Sequence, residues 1–344
     1  MRHGAHVRFA VLGSGSKGNS LVIEGGGVCV LVDAGYSPRE LRRRLSSLDV
    51  DLRAVTAVLI THGHGDHVKG ARQLAGALGI PTYATEQTRR FCSTFTSLKN
   101  VVPIAPNEAF SLGGLRVLPV PTSHDAPGSV CFVVDDGDQC VGVCTDLGVA
   151  DPMVGAALRA ADALVLEHNH DAEMLQKGPY PAHLKRRIAS ERGHLSNEAG
   201  ARLLALSAGP QLSRVLLAHL SEVNNTPALA LRAARGVVDG RDVELSIAPQ
   251  HHPTGWLRPK RRQADRTVAT TSSSSPPPAV SAAERMSQRL RRAVAQNARV
   301  DPAQPSPVLG RHVALERQLA LFSGPSTKNS PPPPPTKNLT KRPQ

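Results

Sequence analysis

The sequence predicts an α+β fold in which two β-sheets pack face to face with helices outside, followed by a disordered basic tail. Up to Leu257 short apolar runs alternate with helical patterns. The early runs follow one another as hairpins do and the later ones alternate with helices, which favours two packed sheets over a single doubly wound one. Composition then changes abruptly near Trp256: residues 258–344 carry 14 of the 28 prolines and one of the ten aromatics, Phe322. Such a stretch cannot bury a core.

Strands are predicted at 7–12, 21–24, 28–33, 57–61, 115–120, 130–134, 139–145, 163–167, 214–218 and 243–248, each a short apolar run bounded by turn residues. Helices are predicted at 38–48, 68–78, 154–161, 197–207 and 227–237. The fourth has Ser196 as its N-cap and Glu198 in its first turn. No internal repeat of period 20 to 50 is present. The chain therefore divides into a domain, 1–257, and a Pro/Ser-rich basic tail, 258–344. Two islands in the tail have helical spacing, one built on Met286, Leu290 and Val294 with Arg285, Arg289, Arg291 and Arg292 around them, the other on Val313, Leu315, Leu319 and Phe322.

The formal net charge is +13, of which +12 lies in the tail and +1 in the domain. The basic balance therefore describes an arm able to contact nucleic acid and says little about the domain. The five cysteines, an odd number without a CxxC, read as buried thiols of a reducing compartment. Neither a secretory signal nor a run of 18 apolar residues is present, so a cytoplasmic protein without a membrane span is expected. The sequon at Asn338 then meets no glycosylation machinery.

The run AVLITHGHGDH at 57–67 is an apolar strand that leads straight into His62, His64, Asp66 and His67. A tight Gly-containing turn at a strand end can aim alternate side chains into one cavity, so His62 and His64 can face one metal while Asp66 and His67 face another. Four specified positions arise by chance on the order of once in 500 chains of this length. Further ligands must converge from other strand ends. His124, Asp146 and His219 each follow an apolar run and stand in that position.

The order HxHxDH, His124, Asp146, His219, together with LVDAG at 31–35, resembles the dinuclear site of the metallo-β-lactamase superfamily. The WalJ/YycJ-type subgroup is closer still, through LGSGSKGNS at 12–20, NHD at 169–171, LKRRI at 184–188, GHLSN at 193–197 and HLSEVNN at 219–225. The resemblance spans residues 7–257. It implies a four-layer αββα sandwich, two divalent metal ions per chain and phosphodiester hydrolysis, with DNA as substrate for a 5′→3′ exonuclease linked to repair. His62, His64 and His124 would hold one metal, Asp66, His67 and His219 the other, and Asp146 would bridge them. Asp33 would orient a ligand imidazole through a carboxylate–histidine hydrogen bond. His/Asp ligands suit Zn2+ first, with Mn2+ or Fe2+ as alternatives. Gly63 and Gly65 stand where that subgroup usually has Glu and Ser, and Cys131 where it usually has Gly.

Two metals about 3.5–4 Å apart stabilise the attacking and leaving oxygens of an in-line displacement and lower the pKa of a shared water toward about 7. Catalysis is thus assigned to Asp66 and Asp146 at the metals and to His194, which would protonate the leaving oxygen or hold the phosphate. His194 precedes the Ser196-capped helix, whose free N–H groups favour an anion. Its GHLS run also resembles the Gly-His-Ser-Thr element of the tRNA 3′-processing endonuclease. His170 and Asp171 are further candidates for the same duties, and His168 reads as a surface residue. The loop 13–19, with Ser14, Ser16, Lys17 and Asn19, could bring backbone N–H groups to a phosphate. Lys185, Arg186 and Arg187 could line a backbone track.

Only 72 residues separate Asp146 from His219, which leaves no room for the extra domain of the RNA-cleaving β-CASP nucleases. A small-molecule hydrolase acting on a cyclic phosphodiester, thioester or lactone is the competing enzyme class. A non-catalytic metal-stabilised nucleic-acid-binding module would be favoured by loss of a ligand, and none is lost. The charge split gives a test of the tail: truncation after Leu257 should flatten the slope of log K against log salt for DNA binding and leave turnover of a small phosphodiester nearly unchanged. An unaltered slope would show that the arm does not touch nucleic acid.

Overall fold

The computed structural model describes residues 6–260 apart from 96, 97 and 99. Two sheets build the fold. The first has six strands in chain order, β1 (Arg8–Gly13), β2 (Ser20–Gly25), β3 (Val28–Val32), β4 (Ala57–Leu59), β5 (Thr82–Thr85) and β6 (Val101–Ile104), antiparallel through β3 and parallel from there on. The second has seven, β7 (Phe110–Leu112), β8 (Leu115–Pro121), β9 (Val130–Asp135), β10 (Cys140–Cys144), β11 (Ala163–Glu167), β12 (Arg214–Ala218) and β13 (Glu244–Ile247). It is antiparallel through β10 and parallel beyond. The change from hairpins to crossovers therefore happens twice, once in each sheet, where the sequence pattern suggested one change along the chain.

Period-two alternation explains how the layers assemble. Along β1, Phe9 and Val11 join Phe132, Val134 and Val165 in the core between the sheets. Ala10 and Leu12 point the other way and join Leu41 and Leu45 of helix α1 (Pro38–Ser46). Both faces of the first sheet are thus buried, which is why its strands read as nearly continuous apolar runs. Helices α2 (Gly65–Val68), α3 (Ala71–Leu78) and α4 (Glu86–Phe91) follow β4 and β5. Helices α5 (Pro152–Leu158), α6 (Ala172–Lys177), α7 (Ala182–Ile188), α8 (Asn197–Ser207) and α9 (Pro227–Val238) belong to the second half.

Several boundaries differ from expectation for physical reasons. The helix expected over 68–78 is two, because Gly70 donates its N–H to Ala34 O at 2.8 Å and takes the chain out of α2. Strands β5, β6 and β7 and helices α4, α6 and α7 are short, and β6 carries Pro103, which an edge strand tolerates. Residues 258–260 still lie on the domain: Lys260 donates its N–H to Ser213 Oγ at 3.0 Å, and Gln139 Nε2 donates to Pro259 O at 3.1 Å. The two helical islands and the sequon lie outside the described residues. All five cysteines are buried free thiols. No helix among the described residues is long and apolar enough to cross a membrane.

Gly142, at the centre of β10, lies close under α5: a Cβ there would lie 2.7 Å from Leu164 Cδ2 on β11 and 2.8 Å from Leu158 Cδ2 on α5. Gly142→Val should therefore lower the unfolding free energy in urea by about 1–3 kcal/mol through overpacking. Gly236→Ala, on α9 with nothing within 4 Å of the new Cβ, should raise it by roughly 0.5–1 kcal/mol. Equal effects of the two would contradict this account of the interface.

Candidate metal centre

The chemistry-bearing side chains gather where strands of both sheets end. Asp33 follows β3, His62 to His67 follow β4, His124 follows β8, Asp146 follows β10, Glu167 ends β11 and His219 follows β12. Asp33, Asp146 and His219 have positive φ of 61°, 62° and 57°. Such backbone costs on the order of 1–3 kcal/mol per residue and persists where the surroundings fix it.

One group consists of three imidazoles. His64 Nδ1 lies 3.2 Å from His62 Nε2 and 3.2 Å from His124 Nε2. These separations are close to the edge, about 3.3 Å, of a tetrahedron of nitrogens bound at the usual zinc distance. Each ring is held from behind. Thr61 Oγ1 donates to Asp33 at 2.7 Å and so accepts from His62 Nδ1 at 3.0 Å. His124 Nδ1 donates to Gly193 O at 3.0 Å, and Asp125 Oδ1 lies 3.3 Å from His64 Nε2. Burial keeps all three imidazoles below their ordinary pKa and thus neutral, so three lone pairs face one another.

The second group adds carboxylates. Asp66 Oδ2 lies 3.5 Å from His67 Nε2 and 3.8 Å from His219 Nε2. Asp33 holds His67 Nδ1 at 2.7 Å and Glu167 faces His219 Nδ1 at 3.2 Å. Asn19 Nδ2 donates to Asp66 Oδ2 at 3.1 Å. Between the groups stands Asp146, with Oδ2 3.2 Å from His67 Nε2 and Oδ1 3.6 Å from His219 Nε2 and 4.0 Å from His124 Nε2. Burial alone would raise Asp66 and Asp146, but His67 and His219 outweigh it and hold both below the usual carboxylate range. Burial alone would likewise lower His67 and His219. Asp146 in both cases, Asp33 for His67, and Asp66 and Glu167 for His219 overcome it, and His219 is pushed up to about 10.

Divalent cations fit these residues. Asp146 Oδ2 and His219 Nε2 are buried and make no hydrogen bond, and buried polar atoms without partners are costly. Both face the space among the donors, and each ligand-facing imidazole has the outer partner that metal-ligating histidines use.

His194 stands beside both groups, its ring centroid 5.3 Å from His124 and 5.1 Å from His219. Its position has a different cause from the one expected. The first N–H groups of α8 are taken, Asn197 by His170 O at 2.7 Å and Ala199 by Ser196 Oγ at 3.2 Å, so they offer little to an anion. His194 is instead held by Glu167, whose Oε1 lies 2.7 Å from Nδ1. Burial alone would lower the His194 pKa, but Glu167 and Asp146 raise it, and Glu167 itself is held at about 2 despite its burial by His194 and His219. Sequence reasoning passed over Glu167 although it ends an apolar strand as Asp146 follows one. It also gave no role to Asp125, the residue after His124.

Other candidates separate. Within the loop 13–19 the N–H groups of Gly15, Gly18 and Asn19 bond to Asn19 Oδ1, Gly15 O and Asp66 O, and Lys17 pairs with Glu222 at 2.8 Å. Through these bonds the loop buttresses the site. Ser14 accepts the His219 N–H at 2.9 Å, whereas Ser16 is exposed and makes no hydrogen bond to the site. Asp171 caps α6 by accepting from Met174 N–H at 2.9 Å. His170 is buried, with Nδ1 unpartnered. His168 is not a surface residue: it is fully buried, and burial pushes its pKa down to about 4. Arg187, on α7, pairs with Asp125 at 2.6 Å, and Lys185 Nζ donates to Gln176 O at 2.7 Å. Gly63 has a steric reason, since a Cβ there would lie 2.9 Å from Cys92 Cβ; nothing in the structure explains Gly65.

Comparison with known proteins agrees with this geometry. Residues 29–220 match the family model described as the beta-lactamase superfamily domain. Exodeoxyribonuclease YycJ of Bacillus anthracis is 32% identical over 263 residues, which cover 75% of this chain and 98% of that protein. The metallo-beta-lactamase fold protein YhfI of Bacillus subtilis superposes with a TM-score of 0.57 at 19% identity, over 72% of this chain and 98% of its own. Zinc-bound PqqB of Methylobacterium extorquens does so at 0.52 and 19%, over 72% and 99%. With its two-sheet sandwich and converging imidazoles and carboxylates, this chain belongs to the beta-lactamase superfamily, among the metal-dependent hydrolases that include YycJ.

Proposed function

We propose that the protein is a dinuclear phosphodiesterase that removes nucleotides from DNA in the 5′→3′ direction. The observation that carries the dinuclear reading is Asp146, whose carboxylate reaches toward both groups of donors. His62, His64 and His124 would hold one cation and Asp66, His67 and His219 the other, with Asp146 available to both. Zn2+ suits the donor set best, with Mn2+ or Fe2+ as alternatives. Support for DNA comes from YycJ, matched over nearly its whole length and named an exodeoxyribonuclease.

When bound, the two cations supply Lewis acidity to the phosphoryl oxygens and acidify water. The chain supplies the rest. Asp33, Thr61, Asp125, Glu167 and the Gly193 carbonyl fix the tautomer and angle of the ligand imidazoles. His194, whose pKa Glu167 raises, would deliver a proton to the leaving oxygen. Its ring is partly open to solvent at 21% exposure, as a group that meets substrate must be.

The two donor groups differ in protonation, which gives a pH test. At pH 7, without metal, His67 and His219 carry protons because their pKa values are raised, and His62, His64 and His124 do not because theirs are lowered. Filling the carboxylate-rich site with Zn2+ should release about two protons and the three-imidazole site about none. Affinity at the first should rise with pH from 6 to 9 while that at the second stays nearly flat. Calorimetry in buffers of different ionisation enthalpy reads this, and equal proton release at both sites would contradict the assignment.

Function is tested on end-labelled single- and double-stranded DNA with Zn2+ or Mn2+ present. Stepwise loss from the 5′ end is expected. Absence of cleavage beside fast turnover of a cyclic nucleotide or thioester would instead identify a small-molecule hydrolase. His194→Ala should lower kcat on DNA by about 10²–10⁴-fold with metal content intact, and the loss should shrink on a p-nitrophenyl ester, whose leaving group needs little protonation. Equal losses on both substrates would remove His194 as the acid.

A further inference from the structure

We propose that a polar cleft between α3 and the segment after α4, with Phe91 beside it, binds a backbone phosphate and an adjoining base of single-stranded DNA outside the scissile nucleotide, a subsite that rests on the DNA-hydrolysing reading above. The location comes first. Cys92 Sγ donates to Gly63 O at 3.4 Å, between His62 and His64. Thr85 Oγ1 donates to Gly128 O at 2.8 Å and Thr88 Oγ1 to Pro127 O at 3.2 Å, in the loop that carries His124 and Asp125. Helix α4 and the residues that flank it are therefore fastened to both loops that present the three-imidazole group, and Phe91 immediately precedes the Cys92 that makes one of these contacts.

Phe91 is 72% exposed, the most exposed large hydrophobic side chain among the described residues. A single exposed apolar residue is ordinary; its neighbourhood is not. A cleft of about 290 Å³ is lined by Lys69, Arg72, Gln73, Ser93 and Thr94 and holds no carboxylate; Arg72 and Ser93 already have partners, which leaves Lys69 and the Thr94 hydroxyl. Lys69 is two residues beyond His67, at most about 7 Å of backbone away, and Ser93 is two beyond Phe91. Among the described residues the Lys69 ammonium has no counter-charge, whereas Arg89 and Arg90 are held by Glu86 and Arg187 by Asp125. An unneutralised ammonium beside a hydroxyl suits a phosphate, and a free phenyl face one step away suits a base of any sequence.

The test uses the full chain and fluorescent (dT)8 with phosphorothioate linkages, one base being 5-iodouracil. Ultraviolet cross-linking with mass spectrometry should place an adduct on Phe91. By anisotropy, Phe91→Ala and Lys69→Glu should each raise Kd about tenfold or more, Phe91→Trp should stay near wild type, and Lys69→Ala should flatten the salt slope by about 0.7. Thermal midpoints should hold, since both side chains are exposed. No adduct on Phe91, or unchanged Kd and slope in the variants, overturns the subsite. Binding and cross-linking are read without turnover, so the two readings fail separately: a protein that degrades DNA yet gives no Phe91 adduct refutes the subsite alone. One that gives the adduct but cleaves no DNA refutes the hydrolytic reading and retains the subsite.

Discussion

The structure depends on confining mutually repelling, nearly dehydrated donors to one rim of the sandwich. Asp33, Asp146 and Glu167 are buried together with His62, His67, His124 and His219. Such groups are tolerated inside a protein when every polar atom has a partner. Here the outward atoms have theirs, in Thr61, Asp33, Glu167 and the Gly193 carbonyl, and the inward ones converge on each other. The positive φ of Asp33, Asp146 and His219 belongs to the same constraint, because each turns the chain sharply at a strand end where its carboxylate or imidazole is required.

The two sheets make this convergence affordable in structural terms by burying both faces of their strands, so that chemistry is left only at the strand ends. This also explains what the sequence makes legible. A residue that follows an apolar run is a rim residue, and His62, His124, Asp146 and His219 are recognisable on that ground alone. Glu167 obeys the same rule but is the last residue of its strand and not one beyond it, and it escaped. His168 shows the converse error: a polar residue following a strand reads as surface, yet α8 packs over it and buries it. Strands β5 to β7 and helix α4 were not legible because runs of three to six residues carry too little periodicity, and β6 has an interior proline besides.

Packing also accounts for a departure in the metal-binding run. Gly63 leaves room for Cys92, whose Cβ would lie 2.9 Å from a Cβ at position 63 and whose thiol donates to the Gly63 carbonyl. A Cβ at position 63 would thus have to displace Cys92, the C-cap of α4. His194 makes a related point. Its sequence neighbourhood pointed to a helix N-terminus, whereas its place is set by the Glu167 carboxylate at the end of β11, which also raises its pKa.

The central claim is that two cations sit in two separate donor groups joined by Asp146, with His194 left free to act on substrate. Anomalous diffraction at the zinc edge from crystals grown with Zn2+ tests this most directly. The account predicts two peaks about 3.5–4 Å apart, one among His62, His64 and His124 and the other among Asp66, His67 and His219, with Asp146 touching both. A single peak, or a peak bound by His194 and Glu167, would contradict it.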